Sequence, residues 1–339
     1  MQIVNDFEDK IKAFTGSKYV VALSSGTAAI HLALKASGVE NGDKVLVSTF
    51  TYIATVNPII YLGANPLFID CELVTWNMDP ILLEKAIKSA MKSGKKPKAI
   101  LLMHTYGIPA KMNEIMEISR RFHIPVIEDA AEAFGSTING INLGTIGQSG
   151  IYSFNNNKLL TTYGGGAFVT NDEQLYKKVL FWANQSRESK PYYEYKEIGF
   201  NYRMGPLSAA QGLVGIGKVR EKIIRRRRIF DNYRMLLKNV SEITWQGEIK
   251  ESFSNRWLSC ALVPKSNLKI LQTAFEKESI ETRPLWNPMH KQPVFQSFTK
   301  INGDKATELF SKGITLPSSD HLTEEEQVKI TDVLTSIFS

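Results

Sequence analysis

An α/β fold is predicted, with a large domain built on a mostly parallel mixed sheet covered by helices and a smaller C-terminal α+β domain. Between residue 18 and about 185, short apolar runs alternate with amphipathic segments, as strands joined by crossover helices do. After about residue 240 the runs become short and are interleaved with helical patterns. The length of 339 residues, with 43% hydrophobic and 22% charged residues, suffices for one large core and a second small one. The division is placed at 1–235 and 236–339.

In chain order, Phe7 to Phe14 reads as a helix and Tyr19-Val20-Val21-Ala22-Leu23, rich in β-branched residues, as a strand. Thr27 to Ala36 is helical and is ended by Gly38, the residue that closes helices most readily. Further strands are expected at Lys44–Val47, Ala99–Met103, Pro125–Glu128, Gly150–Phe154 and, after three glycines, Ala167–Thr170. Helical patterns cover Asp172 to Asn184 and a long stretch from Ser208 to about Val240. Arg256–Val263 and Glu281–Pro284 read as strands of the smaller domain. Thr323 with Glu326 forms a capping box that opens a last helix running to about Ile337.

Lys and Arg number 41 against 34 Asp and Glu, a net charge of +7 that suits an anionic ligand as well as nucleic acid. Arg225-Arg226-Arg227-Arg228 is flanked by Ile223, Ile224, Ile229 and Phe230 without interleaved aromatic stacking residues, so a solvated helix face is expected and no nucleic-acid partner. Cys71 and Cys260 stand far apart without metal-ligand spacing and read as small buried hydrophobes in a reducing compartment, with no metal site. The first ten residues carry acidic side chains where a signal peptide is apolar, and no run is long enough to span a bilayer. A soluble, cytoplasmic protein without a membrane partner is expected.

Four features carry chemistry. Lys158 stands among uncharged polar residues between an apolar strand and Gly164-Gly165-Gly166, a setting in which a lysine can lose its proton and attack a carbonyl. Ser24-Ser25-Gly26-Thr27 lies between a strand and a helix, where amides and hydroxyls meet a phosphate or merely cap the helix. Asp129 ends an apolar strand among small residues, at the end of an open sheet where ligands bind, although a helix cap is the plain alternative. The three glycines permit close backbone approach, or form a simple turn.

Taken in order, Ser-Gly-Thr, a strand-end Asp, then Ser153-Phe154-x-x-x-Lys158 and glycines resembles the fold-type I pyridoxal-phosphate enzymes. The local wording is similar to the DegT/DnrJ/EryC1/StrS family of sugar aminotransferases, from Phe14 to the last helix. The resemblance implies pyridoxal 5'-phosphate as cofactor, Lys158 as its Schiff-base lysine and Asp129 as partner of its ring nitrogen. Ser25, Gly26, Thr27 and Ser153 are implied as phosphate contacts, Tyr52 as the ring packed on the cofactor, and Glu132 as a polar residue near the cofactor ring. Gly199-Phe200-Asn201-Tyr202-Arg203-Met204 resembles the element whose Asn reaches the phosphate of the neighbouring subunit, which implies a homodimer with shared sites. Arg283 to Pro293 resembles a stretch of the bacillosamine-type 4-aminotransferases, which aminate UDP-2-acetamido-4-keto-2,6-dideoxyhexose with glutamate as donor; Asn287 and Lys291 depart from it. His104, Tyr106, Arg203, Trp286 and His290 are the implied substrate contacts. GDP- or dTDP-linked 4-keto-6-deoxy sugars are alternative acceptors, and a non-catalytic regulator of the same fold is a further alternative. The dehydratase branch, which has His in place of the lysine, is disfavoured by Lys158. Relatives carry an N-terminal extension with a loop near the site, whereas this sequence begins almost directly with the first helix.

Overall fold

The computed structural model describes residues 2–301 and 303–338. The helices are α1 (Gln2–Thr15), α2 (Gly26–Ala36), α3 (Ile53–Tyr61), α4 (Pro80–Lys92), α5 (Met112–Phe122), α6 (Glu173–Ala183), α7 (Pro206–Ile216), α8 (Val219–Leu236), α9 (Lys265–Lys277), α10 (Lys305–Lys312) and α11 (Glu324–Phe338). The strands are β1 (Tyr19–Leu23), β2 (Lys44–Ser48), β3 (Asn65–Ile69), β4 (Ala99–Met103), β5 (Val126–Asp129), β6 (Thr137–Ile138), β7 (Ile141–Asn142), β8 (Ser149–Ser153), β9 (Gly166–Thr170), β10 (Thr244–Trp245), β11 (Ser252–Phe253), β12 (Ser259–Leu262), β13 (Arg283–Pro284) and β14 (Gly313–Leu316).

Seven strands form the main sheet in the order β1-β9-β8-β5-β4-β2-β3. Their pairings make all of them parallel except β9, which runs antiparallel to β1 and to β8. Successive side chains face opposite sides of a strand, and both sides here are apolar because helices cover both. Val20, Leu46, Ile100, Val126 and Tyr152 enter one core, shared with α1, α4 and α5. Val21, Val47, Leu101, Ile127 and Ile151 enter the other, shared with α2, α3 and α6. The expected α/β class is therefore found.

The smaller sheet, β10-β12-β14-β13, closes a third core with α9 and α11. Helix α8 gives Val219 and Ile223 to the first core and Ile229 and Tyr233 to the third, so one rigid element threads both. The long helix expected from Ser208 is broken at Gly217 and Lys218, between α7 and α8. The capping box is present: the Thr323 N–H donates to Glu326 Oε2 at 2.8 Å and the Glu326 N–H to Thr323 Oγ1 at 3.1 Å.

The arginine run departs from a fully solvated face. Arg226 is buried, donating to the Trp257 carbonyl and lying 3.4 Å from Asp320. Arg227 pairs with Glu248 at 3.1 Å and covers the Phe253 ring at 4.4 Å. Only Arg225 and Arg228 are exposed. The helix uses planar cations to hold carbonyls, carboxylates and a ring at once, which explains arginine rather than lysine there. Among the described residues no helix is long and apolar enough to cross a membrane, and no group of His, Cys, Asp and Glu could hold a metal.

Candidate active site

Strands β1, β2, β4, β5 and β8 end at one edge of the sheet, and β9 begins there, since Gly166 lies in register with both Leu23 and Ser153. That edge is where open α/β sheets bind ligands. A cavity of about 340 Å³ opens there, and its walls include Ser25, Gly26, Thr27, Asp129, Ser153 and Lys158.

The first wall is the start of α2. Ser25 caps the helix, its Oγ accepting the Ala28 N–H at 3.0 Å, so the remaining amides of the first turn are left for a ligand. Positive helix-dipole charge accumulates at that end and favours an anion. A Cβ built on Gly26 would stand 3.1 Å from the Ser153 Cβ, and one on Gly166 only 2.5 Å from the Gly26 nitrogen. Gly165, at φ +152°, adopts a backbone conformation that side chains rarely tolerate. The glycines therefore let β9 close on the cradle.

The second wall carries the acid. Asp129 at the end of β5 is 2% exposed; Oδ2 accepts the Thr55 hydroxyl at 2.7 Å and Oδ1 the Ala131 N–H at 3.1 Å. Burial pushes its carboxyl upward, and the two donors and Lys158 oppose that. A buried carboxylate facing a cavity is stabilised by a cation placed opposite it.

Lys158 stands on the connection between β8 and β9. Its Nζ lies 3.2 Å from Glu132 Oε1 and 4.2 Å from the centre of the Trp257 ring. Burial pushes the Glu132 carboxyl up to about 7, against the pull of Lys158 and the Tyr106 N–H. Trp257 is held in turn by its Nε1–H, which donates to the Asn157 carbonyl at 3.0 Å. A nucleophilic amine, a buried acid and a helix-end anion cradle thus share one cavity.

Among the other expected contacts, Tyr52 and Trp286 line the cavity, with ring centres 6.2 Å apart. Tyr106 lies behind Trp286, its hydroxyl accepting the Trp286 N–H at 3.0 Å. His104 is corrected: it is fully buried, Nε2–H donates to Glu128 at 3.0 Å and Nδ1 accepts the Ala110 N–H at 3.1 Å, so neither nitrogen is left for substrate. His290 sits outside the cavity walls, with Nδ1 2.6 Å from the Thr49 hydroxyl, and burial pushes it down to about 4. Arg203 is also outside them; its Nη1 lies 2.7 Å from Glu8 Oε1, which ties the loop to α1. Asn201 is exposed and is not among the cavity walls; it stands beside Asn184 and Arg187. Thr55 and Trp257 were not legible as site residues, because tertiary packing brings each to the cavity, while Asn157 enters as the neighbour of Lys158 in one of the variable positions of its motif.

These groups fit one kind of cofactor: a phosphate for the helix end, a basic ring nitrogen for Asp129 and a carbonyl carbon for Lys158. Pyridoxal phosphate has all three. The chain matches the DegT/DnrJ/EryC1/StrS aminotransferase family model over residues 2–335. It is 42% identical over 342 residues to EpsN of Bacillus subtilis (strain 168), provisionally named a pyridoxal phosphate-dependent aminotransferase, covering 99% of this chain and 88% of that one. It is 36% identical over 337 residues to the GDP-perosamine synthase of Escherichia coli O157:H7, covering 99% and 90%. A crystal structure of a DegT DnrJ EryC1 StrS aminotransferase from Brucella abortus superposes with a TM-score of 0.95 at 28% identity, covering 100% of this chain and 91% of that one. The chain belongs to the DegT/DnrJ/EryC1/StrS aminotransferase family and is a pyridoxal-phosphate-dependent sugar aminotransferase.

Proposed function

We propose that this enzyme moves the amino group of glutamate to the C4 ketone of a nucleotide-linked 4-keto-6-deoxy sugar, with UDP-2-acetamido-4-keto-2,6-dideoxyhexose as its acceptor. The observation that carries the reading is the convergence of Lys158, Asp129 and the start of α2 on one cavity. The cofactor, when bound, would supply an electron sink for the carbon that loses its proton. Asp129 offers a carboxylate to the protonated ring nitrogen, and Thr55 and the Ala131 N–H hold that carboxylate in place. Ser25, Gly26, Thr27 and Ser153 bind the phosphate and fix the ring's direction. Lys158 would take the proton at Nζ from the donor's α-carbon and deliver it to the cofactor carbon that holds the amine, and in the second half-reaction would carry a proton back to C4 of the sugar.

The nucleotide preference rests on the Arg283–Pro293 segment and on Trp286, which lines the cavity. A relative named UDP-2-acetamido-2-deoxy-3-oxo-D-glucuronate aminotransferase, from Pseudomonas aeruginosa, is 36% identical over 241 residues, 70% of this chain. The relative named GDP-perosamine synthase favours a second reading, a GDP-linked acceptor. The same proposal makes the working unit a cytoplasmic homodimer in which Asn201 serves the neighbouring site.

Incubation with UDP-, GDP- and dTDP-4-keto-6-deoxy sugars plus glutamate, read by mass and NMR, tests the proposal. Amination of the UDP-acetamido sugar is expected. Preference for the GDP sugar establishes the second reading, and cofactor-loaded protein that aminates none of them overturns both.

A further inference from the structure

Glu132 joins two parts of the site that no single element connects. It is 3% exposed and lines the cavity beside Lys158. Oε1 lies 3.2 Å from Lys158 Nζ, and Oε2 accepts the Tyr106 N–H at 2.9 Å. Tyr106 has a φ of 56°, a left-handed conformation for a bulky residue that persists only when its surroundings hold it. Its ring packs on Trp286 at 4.4 Å, and its hydroxyl accepts the Trp286 N–H at 3.0 Å. The backbone of Glu132 is pinned as well, its carbonyl accepting from Asn255 Nδ2 at 2.8 Å.

We propose that Glu132 is a positioning residue that couples Lys158 to the substrate wall, one carboxylate oxygen setting the amine and the other setting Tyr106 and, through it, Trp286. The proposal rests on reading the cavity as the aminotransferase site. Glutamate at this position does what an amide cannot, because a carboxylate accepts on both oxygens, one from Lys158 and the other from the Tyr106 N–H. The titratable groups facing it are Lys158 from the β8–β9 connection, Asp129 from its own turn, the Tyr106 phenol and Cys260 from β12. Burial, the largest cause, pushes its carboxyl up to about 7, which puts the coupling in a range where pH reads it.

The test compares the parent with Glu132→Gln and Glu132→Ala. In the full chain freed of cofactor, acylation of Lys158 by acetic anhydride is followed against pH by mass spectrometry. Glu132→Gln should shift the midpoint down by about one pH unit, because a carboxylate beside an ammonium is lost. In the loaded enzyme, Glu132→Gln should keep KM for the acceptor within about twofold, since its amide oxygen still accepts the Tyr106 N–H. Glu132→Ala should raise that KM about tenfold or more, the size of one lost hydrogen bond to a buried group. Labelling curves that superpose for Glu132→Gln and the parent overturn the proposal, and so does an unchanged KM in Glu132→Ala. The labelling arm uses no sugar, so failure of the proposed acceptor and failure of the coupling are separately visible.

Discussion

Replacing Gly166 by alanine asks whether the approach of β9 to the start of α2 shapes the phosphate cradle. The added Cβ would stand 2.5 Å from the Gly26 nitrogen and 2.5 Å from the Ser25 carbonyl carbon, backbone atoms with no flexible tip to swing aside. Carbon contacts settle at about 3.5 Å, so something must move by about 1 Å. Gly166 is paired in register with Leu23 on one side and Ser153 on the other, which holds the strand still. The displacement therefore falls on Ser25 and Gly26, whose amides open α2. Overpacking of this kind costs about 1–3 kcal/mol, and a misplacement of about 1 Å at a binding group weakens function by about 100-fold. We expect the dissociation constant for pyridoxal phosphate, titrated by absorbance into the cofactor-free chain, to rise about 10- to 100-fold. Melting temperature should fall only by about 1–5 °C, at roughly 1–2 °C per kcal/mol for a chain of this size. Gly217→Ala is the control, because its helical φ of −64° and empty surroundings admit a methyl group. Cofactor affinity of Gly166→Ala equal to that of the parent would refute the reasoning.

Three further perturbations separate the roles. Lys158→Ala should abolish the visible absorbance of the bound cofactor and lower turnover by more than about 10²- to 10⁴-fold; a variant that keeps both refutes the assignment of Lys158. Asp129→Asn removes the charge but not the contacts, so the cofactor should still bind while turnover drops; unchanged kcat would sink the ring-nitrogen role. Stability should also respond to acid through His31, which is packed against Tyr61, Phe200 and Tyr202 and is pushed down to about 4 mainly by burial, with Lys35 adding. Its folded pKa lies below the unfolded value of 6.5, so its contribution is present above pH 6.5 and is lost as pH falls toward about 4. His31→Phe should narrow the difference in melting temperature between pH 7 and pH 4.5, and an identical acid loss in parent and variant counts against it.

The parallel strands were legible because their β-branched runs are bounded by glycines and polar turns, and β1, β4 and β9 stand within a residue of where the pattern put them. Strand β3 was not, since Pro66 removes a backbone donor and argues against a strand. It is tolerated because β3 is the last strand of the sheet, paired with β2 alone among the strands. The strand expected from Arg256 begins only at Ser259. Arg256 has a φ of 47°, and Asn255 and Trp257 turn instead toward the turn that follows β5, where Asn255 Nδ2 donates to the Glu132 carbonyl. Lys158, Asp129 and the Ser25–Thr27 cap could be read because each is announced by its neighbours in the chain. Trp257 could not, because it reaches Lys158 across 99 positions and only the folded chain brings its ring there. His104 misled for a related reason: it stands just past a strand end, where ligands bind, but Glu128 and the Ala110 N–H take both its nitrogens.

The single reversed strand explains how these distant parts become one site. Were β9 parallel like its neighbours, a crossover would carry the chain to the far edge of the sheet before residue 166, and the glycines would meet the wrong ends of the strands. Running β9 antiparallel to β8 keeps residues 154–165 at the edge where β5 delivers Asp129 and β1 delivers Ser25. The same reversal presents Gly166 to the first amides of α2 and suspends Lys158 above the acid. The reversal of β9 thus brings the lysine and the glycines to the edge where β5 and β1 already place the carboxylate and the phosphate cradle, and the residues that tune them, Glu132 and Trp257, need only pack against that edge.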